Sequence, residues 1–348
     1  MIIKDNNMQA FVKYGPRPFE AKLCDLAIPE PGENEVLLQV AGCGICGSDL
    51  HAYQAAPGYE WVAPPVTLGH EFAGTIIETG SSVRVFKAGD RVTVVGIQGC
   101  SHCSLCKAGE TNLCLERKVI GLNRDGGMAE YAVVDAAYLI PIPDAVDLPM
   151  CALVEPISVA VHALSKTVIR PGARVVISGP GPIGLFCAKI AALSGAKVIM
   201  LGTNIDEEVR LFLARSLGFE TVNVDRETVG DILKDIFNGA APDTWLEASG
   251  SPQALLSAID LVRRGGCIVG VSMYAQSLEW LPTVAVRASL SMHFSYASVF
   301  RDYYYALYLL AEGLIEPTLF ADFFPLADAD KAFMKVKAGK TVKPVLIP

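Results

Sequence analysis

Apolar and polar positions change over short distances through the first 150 residues. Stretches such as "EVLLQVAGCGIC", "FAGTIIETG", "DRVTVVG" and "MAEYAVVDAAYLIPIP" are rich in β-branched residues and cut by Gly and Pro. This predicts short strands in a small, irregular β-barrel or sandwich. The texture changes near residue 165. "ARVVISGPGPIGLFCAKIAALSGAKVIMLG" reads as strand, glycine turn, helix and strand, and "RLFLARSLGFETVNV" continues as helix then strand. The helical "GDILKDIFNG" follows, and "DTWLEASG" with "SPQALLSAIDLVRRGGCIVGVSM" repeats the alternation. A βαβ series of this kind builds a mostly parallel sheet covered by helices. The tail from "DYYYALYLL" to "KPVLIP" holds two helical patterns and a terminal strand, its tyrosines expected on one helix face against the core.

Length and composition agree with a two-domain α/β chain. At 348 residues the polypeptide exceeds what one hydrophobic core usually organises. Half of it is apolar and about a fifth charged, as in ordinary soluble enzymes. No apolar run reaches the roughly 18 residues that a membrane span needs. The opening "MIIKDNNMQAFVKYG" lacks a signal-peptide core, so a cytoplasmic protein is expected. A net charge of −8 without a basic block argues against nucleic acid and anionic membranes as partners. In a reducing compartment the ten cysteines are not a disulfide framework. They point to metal.

Four of them, Cys100, Cys103, Cys106 and Cys114, stand in "CSHCSLCKAGETNLC". Two-residue loops let backbone turns bring successive sulfurs to tetrahedral positions about 2.3 Å from Zn²⁺, which makes a closed structural site. Similar spacings also hold iron–sulfur clusters, the competing reading. His102 is surplus to a four-cysteine cage and is expected at the surface.

A second constellation lies in "CGICGSDLH" and "LGHEFAG". Cys46, His70 and Glu71 offer a thiolate, an imidazole and a carboxylate, the three-ligand set of a catalytic zinc that keeps one position open. Neighbouring strand residues point to opposite faces, so His70 and Glu71 can share a metal only where the chain is irregular. Asp49 could orient His70 or cap a turn. Glu155, in "ALVEPISVAVHA", could be a fourth ligand or hold a metal-bound water, and Cys43 is a packing residue. His162 and His293 are read as core residues.

The turn Gly179-Pro180-Gly181-Pro182-Ile183-Gly184 stands between a strand at 174–178 and a helix from about 182. Glycines there let backbone N–H groups approach a pyrophosphate whose charge the helix N-terminus stabilises. An acid for the adenosine ribose is expected roughly 20 residues on, but that place reads Gly202-Thr203-Asn204. Asp206, Glu207 and Glu208 follow, then Arg210. The acids would repel a 2′-phosphate and Arg210 could receive one, so NAD and NADP both stay open, with the balance towards NAD. Thr203, Asp206 and Arg210 join the glycine turn as cofactor-binding candidates.

In order and spacing, "GICGSDLH", "LGHEF", the four-cysteine lobe, "ALVEP" and "GPGPIGL" resemble the zinc-dependent medium-chain alcohol dehydrogenase family. The likeness runs essentially the whole length, through "PLADADKAFMKVKAGKTVKPVLI". Glu71 after His70, together with Glu155-Pro156, is similar to the polyol branch of sorbitol and sugar-alcohol-phosphate dehydrogenases. The resemblance implies a GroES-like β-barrel catalytic domain over residues 1–160, completed by 296–348, and a Rossmann domain over 161–295. It also implies a catalytic zinc on Cys46, His70 and Glu71 with Glu155 as ligand or water partner, and a second, structural zinc in the cage. Ser48 and His51 match the family's proton-relay positions. The expected reaction is reversible oxidation of a secondary hydroxyl of a polyol, sugar or sugar-alcohol phosphate to a ketone with NAD(P)⁺, by a homodimer or homotetramer. The alternatives are an L-threonine or simple alcohol dehydrogenase and a non-catalytic, zinc-stabilised nucleotide sensor. Gly202–Asn204 departs from the strict NAD pattern, and "VFRDYYYALYLL" departs from the substrate segment of sorbitol dehydrogenases.

Overall fold

The computed structural model describes residues 6–348; residues 1–5, the start of the segment read as lacking a signal core, lie outside the described residues. The chain divides into two compact units. Of the described residues, one holds 6–158, 298–337 and 343–348, the other 159–297 and 338–342. The boundaries drawn at 160/161 and 295/296 therefore fall two residues earlier and two later. The segment 338–342 belongs to the second unit, which its sequence did not signal. Contacts far along the chain place it there: Arg210 Nε donates to Thr341 O at 3.3 Å, and Lys340 pairs with Glu208.

Strands and helices are numbered along the chain. In the first unit β3 (Glu35–Gly44) is the hub, pairing antiparallel with β5 (Glu71–Thr79), β9 (Tyr131–Asp135) and β18 (Lys343–Ile347). The seven-stranded sheet runs β10 (Leu139–Pro141), β6 (Arg91–Val94), β5, β3, β18, β17 (Ala321–Pro325), with β9 also on β3. A second sheet orders β2 (Ala21–Ala27), β1 (Asn7–Lys13) and β4 (Val66–Thr67), and β7 (Ile97–Gln98) pairs with β8 (Lys118–Val119) around the cysteine lobe. Alternation sets the facing: β9 is buried at every second residue, whereas β3, with strands on both sides, is mostly buried throughout. The helices of this unit are α1 (Gly47–Tyr53), α2 (Ser104–Lys107), α9 (Phe300–Ala311) and α10 (Ala329–Lys337). Phe333 of α10 stacks on Phe11 and Tyr53 at ring-centroid distances of 5.6 and 4.7 Å, which ties the C-terminal segment into the first unit's core. On α9 only Tyr303 faces inward; Tyr304, Tyr305 and Tyr308 are about half exposed. The expectation of one inward tyrosine face fails because successive helical residues are about 100° apart.

The chain passes between units along α3 (Val154–Leu164). The second unit is a parallel six-stranded sheet ordered β13 (Glu220–Asn223), β12 (Lys197–Gly202), β11 (Arg174–Ser178), β14 (Thr244–Glu247), β15 (Cys267–Gly270), β16 (Ser291–Phe294). Its helices are α4 (Pro182–Leu193), α5 (Phe212–Ser216), α6 (Val229–Ile236), α7 (Pro252–Leu261) and α8 (Thr283–Ala288). The order reverses at β11, the doubly wound topology whose crevice at the strand carboxyl ends receives nucleotides. Val176, Ile199, Val222, Trp245 and Ile268 form its buried core. His162 is buried as expected of a core histidine. His293 is exposed instead, because β16 is the edge strand and only one of its residues is even half-buried. No helix among the described residues is long and apolar enough to cross a membrane.

Candidate active site, metal cage and nucleotide crevice

Three local devices in the first unit bring Cys46, His70 and Glu71 together. Cys46 is the N-cap of α1 in extended backbone, and its N–H donates to Asp49 Oδ2 at 2.9 Å. Gly69 turns the chain with φ +95°, where a Cβ would lie 2.5 Å from Cys43 Sγ; this is the irregularity that two adjacent ligands require. Glu71 then opens β5 opposite Gly44 of β3, whose missing side chain leaves room for the carboxylate: a Cβ on Gly44 would fall 2.3 Å from Glu71 Oε2. One donor atom from each of Cys46, His70 and Glu71 lies within 4.8 Å of the others. A thiol, an imidazole and a carboxylate at this separation suit Zn²⁺.

His70 is buried, and its Nδ1 stands 3.4 Å from Asp49 Oδ1. The pair is close enough for charge attraction but misaligned for a hydrogen bond, so both atoms are buried without one. Its Nε2 lies 3.4 Å from Ser48 Oγ. Burial opposes an imidazolium here, but the Asp49 carboxylate and the Cys46 sulfur outweigh it and hold the His70 pKa well above the ordinary range. The pocket is thus built to welcome positive charge on that ring, which a metal cation supplies as well as a proton does.

Glu155, in the first turn of α3, does not join the three-atom cluster. Burial, and then the neighbouring Glu71 charge, push its carboxyl up to about 7. His51 lies on the same helix as Ser48 and is exposed, with its ring centroid 5.2 Å from that of Tyr59; partial desolvation lowers its pKa. No hydrogen bond joins Ser48 to His51 among the described residues.

Sequence reasoning missed Lys343. Its side chain is 2 % exposed, and its Nζ donates to both Glu71 oxygens at 2.6 Å and to Ile45 O at 3.0 Å. Burial alone would lower its pKa; the charges of Glu71 and Cys46 reverse that and raise it. One signal was available: a lone lysine inside the apolar terminal strand "KPVLI" needs a buried partner.

The cysteine lobe closes on itself. Sγ atoms of Cys100, Cys103, Cys106 and Cys114 all lie within 4.8 Å of one another, with Cys100–Cys106 at 4.0 Å and Cys103–Cys114 at 3.9 Å. A tetrahedron of bonds about 2.3 Å long has edges near ~3.8 Å, so the donors fit zinc almost without adjustment. Backbone N–H groups of Cys103, Cys106 and Cys100 point at the sulfurs of Cys100, Cys103 and Cys114, each at 3.4 Å. Such N–H contacts favour thiolates, and those of residues 102 and 103 bring Cys100 down to about 6. His102 is exposed and turned to Cys100 O at 2.7 Å, outside the four-sulfur cluster.

In the second unit the glycine turn follows β11. Gly179 has φ +94°, Gly181 is the N-cap of α4 with Pro182 in its first turn, and a Cβ on Gly184 would lie 1.9 Å from Gly179 O. Open space surrounds Gly181, so a pyrophosphate can approach the backbone there; Ile183 continues the first turn of α4. Beside it is a cavity of about 460 Å³ lined by Gly179, Gly202, Thr203, Val224, Asp225 and Ser249, among others, of a size that suits an adenosine moiety. Asp206 also borders the cavity, but its carboxylate turns back to Thr203 N–H and hydroxyl at 3.1 and 2.9 Å and to Arg210 at 3.0 Å. Arg210, offered by the sequence for a 2′-phosphate, is therefore spent on Asp206 and Thr341. Asp225 on the cavity wall, and Arg226 next to it in the chain, went unnoticed in the sequence.

Comparison with known proteins places these features. Residues 32–144 match the alcohol dehydrogenase GroES-like domain and residues 182–312 the zinc-binding dehydrogenase domain. The chain is 36 % identical to the sorbitol dehydrogenase of Halalkalibacterium halodurans, covering 92 % of this chain and 93 % of that protein. It is 34 % identical to the D-arabitol-phosphate dehydrogenase of Enterococcus avium (97 % and 96 %) and 34 % to the L-threonine 3-dehydrogenase of Klebsiella pneumoniae subsp. pneumoniae (93 % and 95 %). Among solved structures, a zinc-binding dehydrogenase from Sinorhizobium meliloti bound to NADP superposes with TM-score 0.90 at 30 % identity, over 99 % of this chain and 100 % of that one. A short chain alcohol dehydrogenase from Escherichia coli CFT073 complexed with NADH gives the same score and coverage at 26 % identity.

Proposed function

The chain belongs to the zinc-dependent alcohol dehydrogenase family, and from that premise we propose that it oxidises a secondary hydroxyl of a polyol, sugar or sugar-alcohol phosphate to a ketone, reversibly, with a nicotinamide dinucleotide. The observation that carries this reading is the convergence of Cys46, His70 and Glu71 with the Ser48 hydroxyl at His70. A zinc held there would act as a Lewis acid that lowers the pKa of a substrate hydroxyl, and the dinucleotide would take up the hydride. The chain's own residues do the rest. Asp49 sets the His70 ring and the start of α1 together, through one carboxylate. Glu155, neutral below about pH 7, can donate a hydrogen bond or stand near the metal as ligand or water partner. Ser48 would take the hydroxyl proton, and His51, exposed and with a depressed pKa, would pass it to solvent. Cys100, Cys103, Cys106 and Cys114 would hold a second zinc that supports the lobe's fold.

Relatives named for sorbitol and arabitol phosphate support the polyol class over L-threonine, which a relative of similar identity uses. Glu155 supports it too, as the acid that the resemblance links to the polyol branch. The enzyme works in the cytoplasm, in keeping with ten unpaired cysteines, as a homodimer or homotetramer.

The test is a panel of sorbitol, arabitol, their phosphates, L-threonine and simple alcohols, followed by the absorbance of the reduced nicotinamide. The expected result is turnover of a polyol or its phosphate, lost in Cys46→Ser while nucleotide binding persists. Turnover of L-threonine alone would move the substrate class. Nucleotide binding without turnover of any substrate would favour a sensor.

A further inference from the structure

In an NAD-binding βαβ unit, a carboxylate at the end of the second strand accepts the ribose 2′-hydroxyl. Here that strand, β12, ends on Gly202, and the packing forbids a side chain: a Cβ would lie 2.9 Å from both Leu211 Cδ2 and Pro180 Cγ. Leu211 is fully buried, so a side chain at 202 would have to displace it. Of the carboxylates nearby, three pair with basic side chains and Asp225, on the cavity wall, lends one oxygen to a backbone N–H. Asp206 serves Thr203 and Arg210, and Glu207 accepts from Asn223 Nδ2 at 2.8 Å and Arg215 at 3.0 Å. Glu208 pairs with Lys340, and Asp225 Oδ2 accepts the Asn204 N–H at 2.7 Å.

Those same bonds use up Arg210, Arg215 and Lys340. Arg226 is the exception. It is exposed, no salt bridge reaches it among the described residues, and its Nε donates to Asn204 Oδ1 at 2.7 Å. The Nε bond leaves both terminal amino groups of the guanidinium for a ligand, tethered to a residue two positions past Gly202. Asn204 is itself steadied by its N–H on Asp225 and by Asn223 Nδ2 at 3.2 Å. Across this rim four acids face four bases, so no net negative charge repels an incoming phosphate. A pre-positioned guanidinium gives the fork that phosphate oxygens accept.

We propose that this chain takes NADP(H) in preference to NAD(H), with Arg226, held by Asn204, gripping the 2′-phosphate. The inference rests on the dehydrogenase reading above and reverses the balance towards NAD, which counted acids that the fold spends on other partners.

The test is direct binding, read by quenching of tryptophan emission as NADPH or NADH is titrated into the zinc-loaded wild type, Arg226→Gln and Arg226→Lys. Wild type is expected to bind NADPH about tenfold or more tighter than NADH, the size of a charge-assisted hydrogen-bond pair. In Arg226→Gln that ratio falls about tenfold, with Arg226→Lys between, and kcat/KM with the two cofactors follows the same order. Equal or tighter binding of NADH by wild type overturns the proposal, as does an unchanged ratio in Arg226→Gln. Failure to bind either cofactor overturns the dehydrogenase reading itself, a distinct result.

Discussion

Lys343→Met tests the buried charge arrangement of the candidate site most directly. Lys343 and Glu71 have side chains 2 % and 1 % exposed, and the ammonium spends its three donors on Glu71 Oε1, Glu71 Oε2 and Ile45 O. Methionine keeps most of the volume and removes the charge. In metal-free protein this leaves a buried carboxylate without its counter-charge. Removing one partner of a buried pair costs about 3–5 kcal/mol. Each kcal/mol shifts Tm by about 2–4 °C in a domain of this size, so the transition of the first unit is expected to fall by roughly 6–20 °C. Replacing both partners, as Lys343→Met with Glu71→Leu, removes the stranded charge and is expected to recover most of that loss. Calorimetry of the four proteins of the cycle, with zinc stripped from this site, gives the numbers. Saturating zinc should shrink the single-variant loss, since a cation on Glu71 replaces the lost ammonium. A drop below about 1 kcal/mol in Lys343→Met, or a double variant no better than the single, would refute the argument that the pair is desolvated and mutually dependent.

Further expectations follow from the cage and from Glu155. Cys103→Ser should lower zinc from two atoms per chain to one by elemental analysis and lower Tm by several degrees, because a structural zinc contributes folding energy outright; two retained atoms would rule the cage out. Glu155 titrates near 7 when folded against about 4.3 unfolded, so the folded chain holds the proton more tightly. Its contribution is fully present below about pH 4.3, falls through the interval and is gone above 7, on the order of 4 kcal/mol in metal-free protein. Glu155→Gln should flatten that slope in urea titrations at successive pH values, and an unchanged slope would contradict the burial argument.

Much of this molecule was legible along the chain. The four-cysteine cage spans 15 residues, and short loops close it whatever surrounds them, so spacing alone located it. The glycine turn was equally plain, since strand, Gly179-x-Gly181-x-x-Gly184 and helix are consecutive. Cys46, His70 and Glu71 were named from residue type, but only the left-handed turn at Gly69 and the missing side chain of Gly44 show how adjacent residues come to face one site.

The tertiary structure alone decided which charges remain available. Glu71 meets Lys343 across 272 positions, through the pairing of both β5 and β18 with β3, a register that no local pattern records. Asp206 and Arg210 looked like ribose and phosphate contacts in sequence, yet each satisfies the other across one helical turn. Arg226 reaches Asn204 across 22 positions because β12 and β13 lie side by side. Residue type and short spacing determine what chemistry a chain can offer. Which partner each buried or rim charge finds depends on strand order and register, because charges pair with what is near in space, and that distance is set only when the sheets assemble.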